Sequence, residues 1–169
     1  MTDRVRSVLF VCTGNVFRSL TAERALLRAL GPGGEVRVSS AGTDDVPGLE
    51  VRSDVAAHLA SRGLDVSDHR RRTLTPRIVS DAGLVIAMNS DHRRFLDERH
   101  GIDAPLYEAA IGGPPLDMPD VNDLFEPHEY FTEPALQHVR HTIDRIIDGA
   151  PLLARRLKNG TIRDRDPTR

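Results

Sequence analysis

The chain has 169 residues, of which 39% are apolar and 28% are charged, and its formal net charge at pH 7 is -2. This balance is typical of one globular domain and excludes fibrous, collagen-like and wholly disordered proteins. The near-neutral charge provides no basic field, so neither nucleic acid nor a membrane is an expected partner. The sequence has no apolar run near the roughly 18 residues of a membrane span and no signal-peptide core, so we expect a cytoplasmic protein.

The predicted elements alternate between strands and helices. We expect a single doubly wound α/β domain with a four-stranded parallel sheet, helices on both faces and a phosphate-binding loop after the first strand. We expect this domain to span residues 1–157 and residues 158–169 to form a polar, flexible tail. Residues 112–127 are too rich in Gly, Pro and Asp for a regular element. The pattern predicts strands at 7–11, 36–39 and 84–88 and helices at 19–30, 54–62, 90–99 and 134–157.

Cys12 is the only cysteine, and it directly follows the first predicted strand. A single cysteine excludes an intrachain disulfide and makes a cysteine-based zinc site nearly impossible. Residues 12–19 read C-T-G-N-V-F-R-S and lead into the first helix. In an open α/β sheet, ligands bind beyond the carboxyl ends of the strands, where helix N-termini offer free N–H groups to anions. The position therefore predicts an oxyanion site.

The spacing of Cys12 and Arg18 leaves five residues between them, about what a backbone needs to wrap a tetrahedral oxyanion while the guanidinium clamps two oxygens. Such a positive cradle favours a cysteine thiolate that attacks phosphorus without a metal or other cofactor. A lone cysteine after a strand is ordinarily a small core residue, but the complete pattern favours catalysis. The expected phosphate-binding residues are Thr13, Gly14, Asn15, Val16, Phe17, Arg18 and Ser19.

The segment V-C-T-G-N-V-F-R-S, followed by Ala22 and Glu23, resembles the signature of the low-molecular-weight protein tyrosine phosphatases. S-S-A-G-T at residues 39–43 matches a further segment of that family, and Asp68-His69 with Arg72, Leu74 and Thr75 matches the family's D-x-H-x-x-R-x-L stretch. The resemblance implies a bacterial protein tyrosine phosphatase that forms a cysteinyl-phosphate on Cys12. Its expected partners are a phosphorylated protein or small phosphate ester and inorganic phosphate or another oxyanion. We expect a monomer or weak homodimer.

The resemblance also implies an aspartate on a late loop that protonates the leaving oxygen. Asp120 matches best, and Asp123 is the alternative because Phe125 keeps an aromatic residue two positions after it. The family's loop-supporting network corresponds to Asn15, Ser19, Ser40 and His69. Asn15 also belongs to a residue type that tolerates the positive φ of a tight anion-binding turn.

The chain departs from the family pattern around the substrate. Phe17 replaces a second cysteine, residues 43–49 contain no aromatic side chain, and Asn122 replaces the other aromatic wall. Val16 is apolar, which fits an aryl ester better than phosphoarginine. The aromatic residues that remain as candidate walls are Phe17, Phe125, Tyr130 and Phe131.

Two other functions stay open on the sequence: an arsenate reductase that uses Cys12 with a small thiol, and a phosphate-binding protein without turnover. Two further patterns have ordinary interpretations. His138 and His141 are expected on a solvated helix face rather than at a metal site. Arg70, Arg71 and Arg72 are expected at a solvated edge, with contact to an acidic phosphopeptide as the alternative.

Overall fold

The computed structural model describes residues 4–162, and at its centre is a parallel sheet in the order β2-β1-β3. The strands are β1 (Ser7–Cys12), β2 (Arg37–Gly42) and β3 (Leu84–Ala87). Cys12 lies opposite Gly42, so the last residues of β1 and β2 are neighbours. The carboxyl ends of parallel strands lie at the same edge of a sheet, and the candidate site is built at this edge.

Helices follow each strand, which confirms the predicted α/β fold. α4 shows how the sequence sets these helices: the Asn89 side chain accepts from the His92 N–H at its start, and Gly101 ends it with a left-handed φ of 65°. The helical segments are α1 (Arg18–Leu30), α2 (Ser53–Ser61), α3 (Pro76–Ser80), α4 (Ser90–His100), α5 (Tyr107–Ala110), α6 (Val121–Leu124), a 3-10 turn (Pro127–Glu129) and α7 (Glu133–Lys158).

The core has one apolar layer on each face of the sheet and a third layer beyond α1. Alternate residues of β1 point to opposite faces: Phe10 packs with α1 and α7, and Leu9 packs with α3 and α4. The far side of α1 packs against α2 and α7 through Leu20 and Ile143. The loop that precedes α1 is therefore attached to a buried element at each end, to β1 at its start and to α1 at its finish.

The predicted number of strands is wrong, because the part of the chain that the structure describes has a sheet of three strands rather than four. A fourth strand is reduced to one isolated parallel bridge between Ala87 and Leu106. Pro105 has no N–H with which to extend a ladder, and the chain enters α5 at Tyr107.

The expectation for residues 112–127 is also wrong, since this segment contains α6. Asp120 caps α6, and Asp123 accepts from the Asp120 N–H in return. This reciprocal capping stabilises a helical turn in a segment whose composition disfavours one. At the C-terminus, α7 continues to Lys158, and residues 163–169 of the predicted tail lie outside the described residues. Within residues 4–162, no helix has both the length and the apolar character needed to cross a membrane.

Ile143 tests the packing of α7 against α1 and α2. Its side chain is fully buried, so we expect Ile143→Ala to lower the free energy of unfolding by about 2–5 kcal/mol through lost burial and the cavity left behind. Leu152→Ala on the same helix is the control, because Leu152 is 42% exposed and its loss should change stability by only about 0.5 kcal/mol. Urea unfolding measures both. Equal effects of the two substitutions would contradict this packing.

Candidate active site

The phosphate loop, residues 12–18, connects β1 to α1. Its carbonyl groups point away from its centre and are held there by hydrogen bonds. Four successive carbonyl oxygens accept hydrogen bonds from groups outside the loop. The pairs are Cys12 O with Thr43 N–H at 2.9 Å, Thr13 O with Asp44 N–H at 3.0 Å, Gly14 O with Arg71 Nε–H at 3.1 Å, and Asn15 O with His69 Nε2–H at 2.7 Å.

This arrangement turns the N–H groups of the loop toward its inner side, because N–H and C=O point in opposite directions across a trans peptide bond. The Asn15 N–H lies 3.3 Å from Cys12 Sγ. The first turn of α1 adds further unpaired N–H groups and a positive dipole. The backbone N–H groups therefore form a concave donor surface around the sulfur, as an oxyanion site requires.

Asn15 has a φ of 57° and is the only non-glycine residue in the left-handed region among those described. Its side-chain amide is fully engaged. Nδ2 donates to Ser19 Oγ at 3.1 Å and to Ser40 Oγ at 2.8 Å, while Oδ1 accepts from the Arg72 N–H at 2.8 Å. These bonds hold a backbone conformation that costs energy for a residue other than glycine.

The donors and acceptors in this hydrogen-bond network are fixed by the Glu23 carboxylate, because a carboxylate only accepts. Ser40 Oγ donates to the Glu23 carboxylate at 2.5 Å, so it accepts from Asn15. Ser19 Oγ likewise accepts from Asn15, which leaves its own proton for Cys12 Sγ at 2.9 Å. The structure thus joins the four predicted support residues. Glu23, which the sequence analysis named only as part of a motif, sets the direction of the bonds through Ser40.

Gly42 lets β2 approach the phosphate loop closely. A Cβ at this position would lie 2.5 Å from the Thr13 carbonyl oxygen and 3.0 Å from the Asn15 nitrogen. Both contacts are with backbone, so no side-chain movement could relieve them.

Arg18 is fully buried, and its guanidinium joins the phosphate loop to a later loop. Nη1 donates to the Met118 carbonyl at 2.9 Å, and Nη2 lies 2.5 Å from Asp120 Oδ2 and 3.4 Å from Thr13 Oγ1. Nε is buried and has no hydrogen-bond partner among the described residues. A buried, unsatisfied guanidinium donor beside the loop is what an incoming oxyanion would satisfy.

The acid loop, residues 117–120, is attached at each of its first three residues. Asp117 accepts from the Ser90 N–H at 2.7 Å, and the Met118 N–H donates to the Met88 carbonyl at 3.1 Å. The Pro119 carbonyl accepts from His138 Nε2 at 3.0 Å. These bonds bring the Asp120 carboxylate to Arg18.

The solvated-face interpretation of the two histidines is wrong for His138, which is half-buried and also packs against the Phe125 ring. His141 is exposed. Sequence spacing could not reveal the contact of His138, because its partner Pro119 lies 19 residues away in an irregular segment.

The two candidate acids have different positions. Asp120 Oδ2 faces Arg18 while Oδ1 accepts from the Val121 N–H at 2.7 Å. The Asp123 carboxylate instead accepts from the Asp120 N–H at 2.7 Å and lies at the exposed side of the loop. The structure brings Asp120, and not Asp123, to the phosphate loop.

His92, which the sequence analysis did not identify, lies beneath the phosphate loop. Its Nε2 is 2.8 Å from Thr13 Oγ1, its side chain is buried, and its Nδ1 has no partner among residues 4–162. Burial and the positive charge of Arg18 lower the pKa of His92 from 6.5 to about 3, against the opposing effect of Asp117. The imidazole is therefore neutral at physiological pH.

The mouth of the loop is aliphatic. Leu49 packs so closely on Gly14 that a Cβ there would lie 2.7 Å from Leu49 Cδ2 and 3.4 Å from Val16 Cγ2. A cleft of about 560 Å³ continues from Val16 and Leu49 toward Val66 and His69.

The candidate aromatic walls lie elsewhere or serve other contacts. Phe17 is buried in the layer between α1 and α2, and Phe125 packs on His138. Tyr130 and Phe131 lie under the Arg52 guanidinium, at 5.8 and 4.6 Å from ring centre to Cζ. Sequence reasoning missed Leu49 because it looked for an aromatic residue.

Comparison with known proteins places this site in a family. The family model described as low molecular weight phosphotyrosine protein phosphatase matches residues 7–108. The chain belongs to this family. A low molecular weight protein-tyrosine-phosphatase of Streptomyces coelicolor is 36% identical over 127 residues, which cover 67% of this chain and 76% of that protein.

Two further relatives show how far the similarity extends. The probable low molecular weight protein-tyrosine-phosphatase EpsP of Ralstonia solanacearum is 36% identical over 96 residues, so the chain spans 64% of that protein's length. The solved structure of YwlE arginine phosphatase from Geobacillus stearothermophilus superposes with a TM-score of 0.75 at 27% identity, over 91% of this chain and 94% of that chain.

The neutral state of His92 makes stability depend on pH. Between pH 6.5 and 3 the unfolded chain binds a proton at His92 that the native protein does not, so acidification lowers the free energy of unfolding by up to about 1.4 kcal/mol per pH unit. We expect His92→Gln to remove this part of the slope in urea unfolding at pH 5, 6 and 7. His128→Gln, at an exposed position, is the control. Parallel pH profiles for wild type and His92→Gln would contradict the buried, neutral state.

Proposed function

We propose that the protein hydrolyses phosphate monoesters, with phosphotyrosine in a protein as its substrate, through a cysteinyl-phosphate intermediate. The observation that carries this proposal is the position of Cys12 Sγ, which receives hydrogen bonds from the Asn15 N–H and the Ser19 hydroxyl inside a loop of inward N–H groups. The sulfur therefore lies among hydrogen-bond donors on the inner side of the loop, where an oxyanion would sit, as a nucleophile toward phosphorus requires.

In the first step the Cys12 thiolate attacks phosphorus, so that an S–P bond forms as the bond from phosphorus to the tyrosyl oxygen breaks. The proton on Asp120 passes to the leaving oxygen. In the second step Asp120 takes a proton from water, the water oxygen attacks phosphorus and the S–P bond breaks. Inorganic phosphate leaves, and the thiolate and the protonated Asp120 are restored.

Arg18 supports both steps by stabilising charge on the phosphoryl oxygens. In the structure Arg18 Nη2 is bound to Asp120 Oδ2 at 2.5 Å. A phosphate dianion in the loop competes for the same donor, and its binding leaves Asp120 free to carry the proton that the leaving oxygen takes. The attachment of Asp120 beside Arg18, rather than of Asp123, favours Asp120 as the acid.

The aliphatic mouth supports an aryl ester over phosphoarginine. Val16 and Leu49 both place apolar atoms beside Gly14, which suits the flat face of a phenyl ring and leaves a guanidinium without polar partners there. YwlE, with the same fold, is an arginine phosphatase by name, so phosphoarginine belongs among the substrates to be tested.

The test compares Cys12→Ser, Asp120→Asn and Asp123→Asn with wild type on p-nitrophenyl phosphate and on a phosphotyrosine peptide, without added metal. We expect Cys12→Ser to abolish turnover but retain phosphate binding. Asp120→Asn should lower kcat on the peptide roughly 100-fold or more, because a tyrosyl oxygen leaves poorly without an acid, and less on p-nitrophenyl phosphate. Asp123→Asn, the matched control, should have a smaller effect on both.

Three outcomes would contradict parts of this proposal. Turnover that survives in Cys12→Ser excludes the cysteinyl-phosphate route. A larger effect of Asp123→Asn than of Asp120→Asn reverses the assignment of the acid. A wild-type protein that is inactive on both esters, yet reduces arsenate with a small thiol or only binds phosphate, is a reductase or a binding protein instead.

A further inference from the structure

The wall loop, residues 43–50, borders the mouth of the phosphate loop but has little packing of its own. Residues 44–50 are all exposed. Yet Leu49 in this loop lies directly on Gly14. An exposed segment of this kind opens readily unless something outside it holds its backbone in place.

Arg71 supplies such an attachment. Its Nη1 donates to the Val46 carbonyl at 2.6 Å and its Nη2 to the Asp44 carbonyl at 2.6 Å, while its Nε donates to the Gly14 carbonyl at 3.1 Å. One planar group therefore bonds the wall loop at two points and the phosphate loop at a third. The expected solvated edge is wrong for Arg71, which is half-buried and has all three bonds to backbone.

Each of the three bonds has a consequence for the site. The bond to the Gly14 carbonyl turns the Gly14–Asn15 peptide so that the Asn15 N–H faces Cys12 Sγ. The bonds to Asp44 and Val46 fix the backbone that leads to Leu49. Only a guanidinium offers donors in this rigid fork, because an ammonium is a point charge with no fixed plane.

We propose that Arg71 is a positioning residue that fixes the wall loop on the phosphate loop and thereby determines which phosphate-bearing group fits the mouth. The proposal rests on the phosphatase function proposed above. In this proposal the wall loop selects an aryl ester because Arg71 holds the loop in place. Leu49 is then the side chain that contacts the substrate ring.

The experiment compares Arg71→Met and Arg71→Lys with Arg77→Met, a control whose arginine side chain is 91% exposed on α3. Kinetics on a phosphotyrosine peptide and on p-nitrophenyl phosphate give one readout. The other is the rate at which a glutamate-specific protease cuts the folded protein after Glu50, followed by mass spectrometry. Thermal unfolding of every variant establishes that it is folded at the assay temperature.

We expect both Arg71 variants to raise KM for the peptide about tenfold, the effect of losing bonds from a charged donor, and to lower kcat on p-nitrophenyl phosphate as well, because the Gly14 carbonyl loses the donor that turns the Asn15 N–H toward Cys12 Sγ. Cleavage after Glu50 should become about tenfold faster as the loop opens more often. Arg77→Met should match wild type in both readouts. If Arg71→Met does not fold, Arg71→Lys carries the comparison.

The proposal is overturned if Arg71→Lys restores the wild-type KM and cleavage rate, since charge alone would then suffice. It is also overturned if the Arg71 variants match Arg77→Met. A wild-type protein without phosphatase activity would end the proposed function, and the rate of cleavage after Glu50 would then decide on its own whether Arg71 clamps the loop.

Discussion

The site depends on one constraint: the carbonyl groups of the phosphate loop must point away from its centre. A loop without hydrogen bonds from outside would not align four successive peptide units in this way. Here two N–H groups of the wall loop and the side chains of His69 and Arg71 hold the four carbonyls outward. The inward N–H groups follow from peptide planarity, and the position of the sulfur among them follows from the bonds to Asn15 and Ser19.

Arg18 transmits this arrangement to the acid loop. It begins α1, which is buried between the sheet, α2 and α7, so packing of the helix fixes where the Arg18 side chain starts. Its guanidinium meets the Met118 carbonyl and the Asp120 carboxylate, and His138 and Ser90 hold the same loop from α7 and α4. The candidate nucleophile, the candidate phosphate clamp and the candidate acid are thus held in place by contacts from three different helices, as electrostatic catalysis requires.

Local pattern predicted the helices that follow β1, β2 and β3, the cradle from Cys12 to Ser19 and the positive φ of Asn15, because these follow from residue types within a few positions. Local pattern could not predict contacts between residues that lie far apart in the sequence. The bonds of His138 to Pro119, His92 to Thr13 and Arg71 to the wall loop join residues 19 to 79 positions apart. Composition also misjudged α6, whose capping pair outweighs the glycines and prolines around it. The predicted fourth strand did not form, because Pro105 has no N–H to donate to a neighbouring strand.

The central claim is that the cradle makes Cys12 a nucleophile toward phosphorus. The most direct measurement is the mass of the Cys12 peptide after the protein is quenched in acid during turnover of p-nitrophenyl phosphate, with Asp120→Ala used to slow hydrolysis of the intermediate. We predict a phosphoryl group on Cys12 that accumulates in Asp120→Ala and disappears once substrate is consumed. Turnover with an unmodified Cys12 at every time of quenching would contradict the account.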